Sequence, residues 1–145
     1  MKLVVDASVT VKWLLMNAPA EQNVLEAMQI LGQILSGQHE ILQPPHWLSE
    51  VLAVIARRAP SVAADSPRDL NALKAEIVCT DAAYLRAAEL SHRLKHHLFD
   101  TLYHAVALEK GATLVTADER YFGVAMQEGA IQRLSNFSSS QTPSK

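Results

Sequence analysis

The chain has 145 residues, enough for one domain with a buried core and too few for two of ordinary size. It is 49% apolar and 19% charged, the balance of a soluble globular protein, which excludes a disordered or fibrous class. A formal net charge of −2 and a pI near 6.3 exclude a broadly basic nucleic-acid binder, so any polyanion must be met by a local patch or by metal ions.

Leu3-Val4-Val5 is a short apolar run of the kind found in a strand buried on both faces, and it stops at Asp6. The same run is too short, with Asp6 interrupting it, for a signal peptide. No window approaches the roughly 20 apolar residues of a membrane span. A cytoplasmic protein is expected. Ser8 or Thr10 can cap a short helix through Trp13, Leu14 and Leu15, with Trp13 in the core or an interface. Val24, Ala27, Met28, Leu31, Ile34 and Leu35 then recur at helical spacing, and Gly37 suits the residue after that helix. Glu40-Ile41-Leu42-Gln43 reads as a second strand, halted by Pro44-Pro45, and these prolines lead a helix through Trp47, Leu48, Val51, Leu52 and Ile55.

Residues 60–67 read as loop, with Ser66-Pro67 and Asp69 opening another helix. Cys79 is the single cysteine, so it forms no internal disulfide. It points to a reducing compartment, and its apolar setting suggests a core position. Thr80 or Asp81 can cap a helix carrying Tyr84, Leu85, Ala88 and Leu94. A further helix carries Tyr103, Val106 and Ala107 before Gly111. Thr113-Leu114-Val115-Thr116 is a strand with Asp118 just beyond it, and Ile131-Gln132-Arg133-Leu134 can add a last one. Strands alternating with helices imply an α/β fold, a parallel sheet covered on both faces. One unit is expected over residues 1–136, with 137–145 a polar, flexible tail.

In open parallel sheets, ligands bind beyond the carboxyl ends of the strands, where strand order reverses. Asp6 and Asp118 both follow strands directly, Glu50 sits near the start of the helix after the second strand, and Asp100 opens the helix before the Asp118 strand. Singly, each acid could be a helix cap, a partner of the helix dipole or a turn residue. As a set at one sheet edge, they ionise together only if a hard cation compensates them, and oxygen donors are what Mg²⁺ and Mn²⁺ prefer. Such ions activate water and neutralise charge in phosphodiester hydrolysis.

Val4-Val5-Asp6-Ala7-Ser8-Val9, the stretch from Pro45 through Trp47, Glu50, Val51 and Val54, Phe99-Asp100-Thr101-Leu102-Tyr103-His104-Ala105-Val106-Ala107, and Leu114-Val115-Thr116-Ala117-Asp118 with Tyr121-Phe122 follow one another along the chain. In that order they resemble the four blocks of the PIN domains, in particular the ribonuclease toxins of VapBC toxin–antitoxin systems. The resemblance implies a three-layer α/β/α sandwich with a central, mostly parallel sheet. It also implies a Mg²⁺ or Mn²⁺ site on Asp6, Glu50, Asp100 and Asp118, an RNA substrate, a homodimer and an inhibiting antitoxin partner. Thr116 and Ser8 match hydroxyl positions that in the family lie beside the metal, although either could simply cap a turn. His104 departs from the family pattern, where that position is often aliphatic, and the 60–67 loop has no counterpart.

Other readings compete. Glu89, His92 and His96 fit a Glu-x-x-His metal pattern, but no second copy exists, so this face reads as exposed surface or a partner contact. An aspartate-dependent phosphohydrolase would want an acid two residues after Asp6, where Ser8 stands. A PIN-fold module that binds RNA or protein without catalysis would need none of the four acids. Arg57, Arg58, Arg86, Arg93 and Lys95 are candidate phosphate contacts, each weighed against ordinary solvated helix surface.

Overall fold

The computed structural model describes residues 1–140. Five strands, β1 (Lys2–Val5), β2 (Glu40–Gln43), β3 (Glu76–Ile77), β4 (Thr113–Thr116) and β5 (Ile131–Arg133), form one sheet in the order β3-β2-β1-β4-β5. Every pairing is parallel. The helices are α1 (Ala7–Leu14), α2 (Val24–Leu35), α3 (Trp47–Arg58), α4 (Pro60–Ala63), α5 (Ser66–Asn71), α6 (Asp81–Leu94), α7 (Leu98–Lys110), α8 (Glu119–Ala125) and α9 (Leu134–Ser140). Leu3, Val4 and Val5 point alternately to the two faces of the sheet, and all three are fully buried, so both faces are covered. α7 lies along β1, β2 and β4 with α6 outside it, while α1 contacts α2 and α3, and α9 contacts β4 and β5. The result is the expected α/β/α sandwich, with an all-parallel sheet. No helix among the described residues is long and apolar enough to cross a membrane.

Small residues line the contact between α6 and α7. α6 buries Ala87 and Leu90 against Leu102 and Ala105 of α7, with Ala83 in the main core, and Thr101 Oγ1 donates to Ala87 O at 2.9 Å. Tyr84 and Leu85 lie on α6 as expected, and both are exposed. Trp13, expected in the core or an interface, lies in the core, and so does Trp47. Trp13 Nε1 donates to Ala27 O, and Trp47 Nε1 donates to Thr10 Oγ1.

The edges depart from expectation in four places. β3 has two residues and no periodicity to reveal it, and the 60–67 stretch holds the one-turn helix α4. Cys79 is exposed rather than buried, because Val78 takes the inward position and bonds Gln43 O through its N–H. Leu134 begins α9 rather than ending a strand, and α9 continues to Ser140 with Phe137 buried, so order extends past residue 136. The remainder of the expected tail, 141–145, lies outside the described residues.

Order 3-2-1-4-5 places the reversal between β1 and β4: the chain leaves β1 for β2 on one side and later returns to β4 on the other. The carboxyl end of β1 is held from both sides. Gln43 acts as a substitute strand, its Oε1 accepting from Val5 N at 3.0 Å and its Nε2 donating to Val5 O at 2.9 Å. On the other side Asp6 N donates to Val115 O at 3.0 Å. The first acid therefore projects from a strand end held by hydrogen bonds on both sides.

Candidate metal centre

Asp6 is the N-cap of α1, with Oδ2 accepting from Ser8 N at 3.1 Å and from the Ser8 hydroxyl. Asp118 is likewise the N-cap of α8, its Oδ1 accepting from Tyr121 N at 3.0 Å. Capping thus leaves each acid free oxygen capacity, because a carboxylate offers about four acceptor positions. Glu50 and Asp100 occupy the first turns of α3 and α7, where the helix dipole favours negative charge. The cap expected from Ser8 or Thr10 is supplied by Asp6, and Ser8 instead bridges. Its hydroxyl oxygen accepts from Ala117 N at 3.0 Å while the O–H donates to Asp6. Thr116 Oγ1 accepts from Asp118 N at 3.0 Å and donates to Asp6 Oδ2 at 3.4 Å, joining the two acids that follow strands.

All four acids, with Ser8, line one cleft of about 380 Å³. One oxygen each of Asp6, Glu50 and Asp100 lie within 4.8 Å of one another, and Asp100 forms a second group at that limit with Asp118 and His96. Burial pushes the Asp6 carboxyl up to about 6, with hydrogen bonds from Ser8 opposing and the charges of Glu50 and Asp100 adding to the rise. Asp100 is also raised, by burial first, then by Glu50 and Asp118, against the lowering effect of His96. The Tyr103 hydroxyl is buried and makes no hydrogen bond of good geometry among the described residues; burial first, then the negative charges of Glu50, Asp6 and Asp100, raise its pKa, and a weaker approach to the Ala7 backbone opposes them.

Sequence reasoning missed the histidines around this cluster. His46 Nε2 donates to Phe99 O at 2.8 Å and lies 3.2 Å from Glu50, tying the start of α3 to the start of α7. His96, expected on an exposed face of α6, lies beyond that helix because Lys95 turns into the left-handed region at φ 53°. Its Nε2 sits 3.0 Å from Asp100 Oδ2. Both pairs share an i,i+4 spacing, His46 to Glu50 and His96 to Asp100, and this was the available signal. The Glu89, His92 and His96 alternative is not assembled, since Glu89 and His92 are exposed while His96 turns to the acids. His104 is buried and structural. Its Nε2 donates to Gly129 O at 2.7 Å, Nδ1 accepts from Tyr121 O–H at 2.9 Å, and burial lowers its pKa so that this neutral tautomer holds.

The donor set suits a hard divalent cation. It consists of oxygens on separate elements, gathered closely enough that neighbouring carboxylates add to the raised pKa of Asp6 and of Asp100, and hard cations compensate that kind of charge. Among the other expected contacts, Arg86 and Arg93 are engaged away from the acids by Glu109 and Glu128, whereas Arg58 and Lys95 line clefts that include acids of the cluster.

These features define an open, parallel α/β/α protein with a carboxylate site at its topological switch point. The chain belongs to the PIN domain family, whose model matches residues 3–125. Its fold is similar to that of a solved chain described as "Crystal structure of VapBC2 from Rickettsia felis bound to a DNA fragment from their promoter". The TM-score is 0.65 at 15% identity, over 92% of this chain and 98% of that one. No curated protein matches the chain by sequence.

Proposed function

We propose that this protein is a metal-dependent endoribonuclease and the toxin of a toxin–antitoxin pair, acting in the cytoplasm. The observation that carries the reading is the convergence of Asp6, Glu50 and Asp100 at the switch point, with Asp118 and His96 grouped on Asp100. Asp6, Glu50, Asp100 and Asp118 would hold Mg²⁺ or Mn²⁺, which when bound supplies an activated water and charge neutralisation for in-line phosphodiester hydrolysis. Ser8 and Thr116 orient the Asp6 carboxylate and join it to the β4 end, and in this reading each hydroxyl would help align an attacking water through its remaining acceptor position. His46 holds Glu50 and the Asp100 helix in register.

The test is incubation of the purified protein with a panel of structured and single-stranded RNAs. Cleavage is expected with Mg²⁺ or Mn²⁺ and none with EDTA; undiminished cleavage in excess EDTA would sink the metal mechanism.

The toxin part of the reading is supported by family membership and by the VapBC2 neighbour, whose description names a two-component assembly. We read this chain as a homodimer whose acid cleft is covered by an antitoxin segment, with exposed Leu98 and Phe99 beside Asp100 supplying apolar surface for association. Expression alone should arrest growth, and co-expression of the cognate antitoxin should relieve the arrest. Harmless expression of a protein that cleaves RNA in vitro would remove the toxin assignment and leave the nuclease.

A further inference from the structure

Three charged side chains at one end of the acid cleft form a separate arrangement. Lys12 lies on α1 one turn beyond Ser8, and Arg58 ends α3 two turns beyond Glu50, so the two helices that carry acid-site groups also carry these cations. Both line the same cleft as the acids. Between them stands Glu21: Lys12 Nζ donates to its Oε2 at 2.8 Å, and Arg58 NH1 donates to its Oε1 at 2.6 Å. The side chains of Lys12 and Glu21 are only 9% and 10% exposed. Burial pushes the Glu21 carboxyl up, but the bonds and charges of Lys12 and Arg58 outweigh it and hold the group below its ordinary value.

Glu21 comes from neither helix. It sits in the 15–23 loop between α1 and α2, where Ala18 N bonds Leu15 O and Glu21 N bonds Ala18 O in local turns. The loop ends at Asn23, which is left-handed at φ 56° and makes no side-chain cap on α2. A lysine and an arginine that each take one oxygen of a single anion match a phosphodiester, which offers two non-bridging oxygens and one negative charge. The site also answers an electrostatic need. A metal at the acid cluster would serve only the scissile group, while a chain of net charge −2 must still attract the flanking phosphates of a polyanion.

We propose that Lys12 and Arg58 form a binding site for a non-scissile phosphodiester of the RNA, and that Glu21 fills this site with its own carboxylate until RNA displaces it. The identity of the ligand rests on the nuclease reading; the anion site rests on the geometry. Glu21 is then a competitor of substrate, and its removal strengthens RNA binding. A purely structural ion pair has the opposite sign, since losing Glu21 leaves two cations uncompensated and loosens the cleft wall.

The experiment is fluorescence anisotropy of a labelled, short, single-stranded oligoribonucleotide of mixed sequence, in EDTA and over a salt series. It uses the full-length wild type, Glu21→Gln, Lys12→Gln and Arg58→Gln, each checked for folding by circular dichroism. Glu21→Gln should bind about tenfold tighter, the gain from freeing two charge-assisted bonds. Each cation variant should bind more weakly, with the slope of log K against log salt reduced by about 0.7 per lost contact on a single strand. Equal or weaker binding by folded Glu21→Gln, or a wild-type slope in either cation variant, overturns the proposal. If Glu21→Gln does not fold, Glu21→Ala is measured in its place with the same expected direction, and the two slopes report on the cations. Wild-type protein that cleaves RNA without this pattern keeps the nuclease reading and removes the Glu21 site, whereas the pattern without cleavage does the reverse.

Discussion

Two charged regions of one cleft are built on opposite principles. Asp6, Glu50, Asp100 and Asp118 gather like charges from four separate elements, and two of those acids are pushed above their ordinary pKa. Lys12, Glu21 and Arg58 alternate in sign at 2.6 to 2.8 Å, and the central carboxyl is held below its ordinary value. Two carboxylates about 5 Å apart repel by roughly 3 kcal/mol at an effective dielectric near 20. The first group therefore costs stability until a cation arrives, while the second is compensated as it stands. Buried charge alone does not single out a metal site; charge that the chain leaves uncompensated does.

The largest effect should come from breaking the acid group at its shared member. Asp100 belongs to both ligand groups, and its side chain is not what starts α7, since its own N–H bonds His97 O at 3.1 Å. Asp100→Asn should fold and yet lose RNA turnover by about 10²- to 10³-fold or more. Near wild-type turnover by the folded variant would take Asp100 out of the site.

A smaller effect sharpens the comparison through pH. The Asp6 carboxyl titrates at about 6 in the folded chain, against 3.8 for an ordinary one. A raised carboxyl holds its proton more readily when folded, so its contribution is full below the unfolded value and is lost as pH rises toward the folded one. Urea unfolding in EDTA should show metal-free wild type losing up to about 3 kcal/mol between about pH 4 and about pH 6, a loss that Asp6→Asn lacks. If the two proteins run parallel across that interval, Asp6 is not held against its charge.

What could be read from the sequence followed from local pattern. Asp6, Glu50, Asp100 and Asp118 were legible because each adjoins an apolar run or a helix start whose placement in an α/β sandwich brings it to one edge. The central strands were legible for the same reason, since Leu3-Val4-Val5 and Leu114-Val115 are buried on both faces. The partners of the acids were not. Glu21 reaches Lys12 across 9 positions and Arg58 across 37, contacts that only the folded α1–α3 interface creates. His96 was misplaced because a helical wheel carried α6 past Lys95, where the backbone turns left-handed. β3 and α9 escape a reading by pattern because two residues hold no period, and because only two buried apolar residues, Leu134 and Phe137, anchor a serine-rich segment. His104, a departure from the family pattern in sequence, proved to be a linker between α7, Tyr121 and the Gly129 turn.

The central claim, that the four acids are an uncompensated cluster awaiting a cation, is tested most directly by four thermal melts at neutral pH, of wild type and Asp100→Asn, each in EDTA and in saturating Mn²⁺. In EDTA, Asp100→Asn should melt higher than wild type, because removing one like charge relieves repulsion that a helix-start acid serving only the dipole would not create. In Mn²⁺ the order should reverse, since a ligand at about 100 times its Kd stabilises the wild type by about 2.7 kcal/mol and the variant loses most of that. If Mn²⁺ raises both proteins equally, or raises neither, the acids do not form a metal site and the account fails.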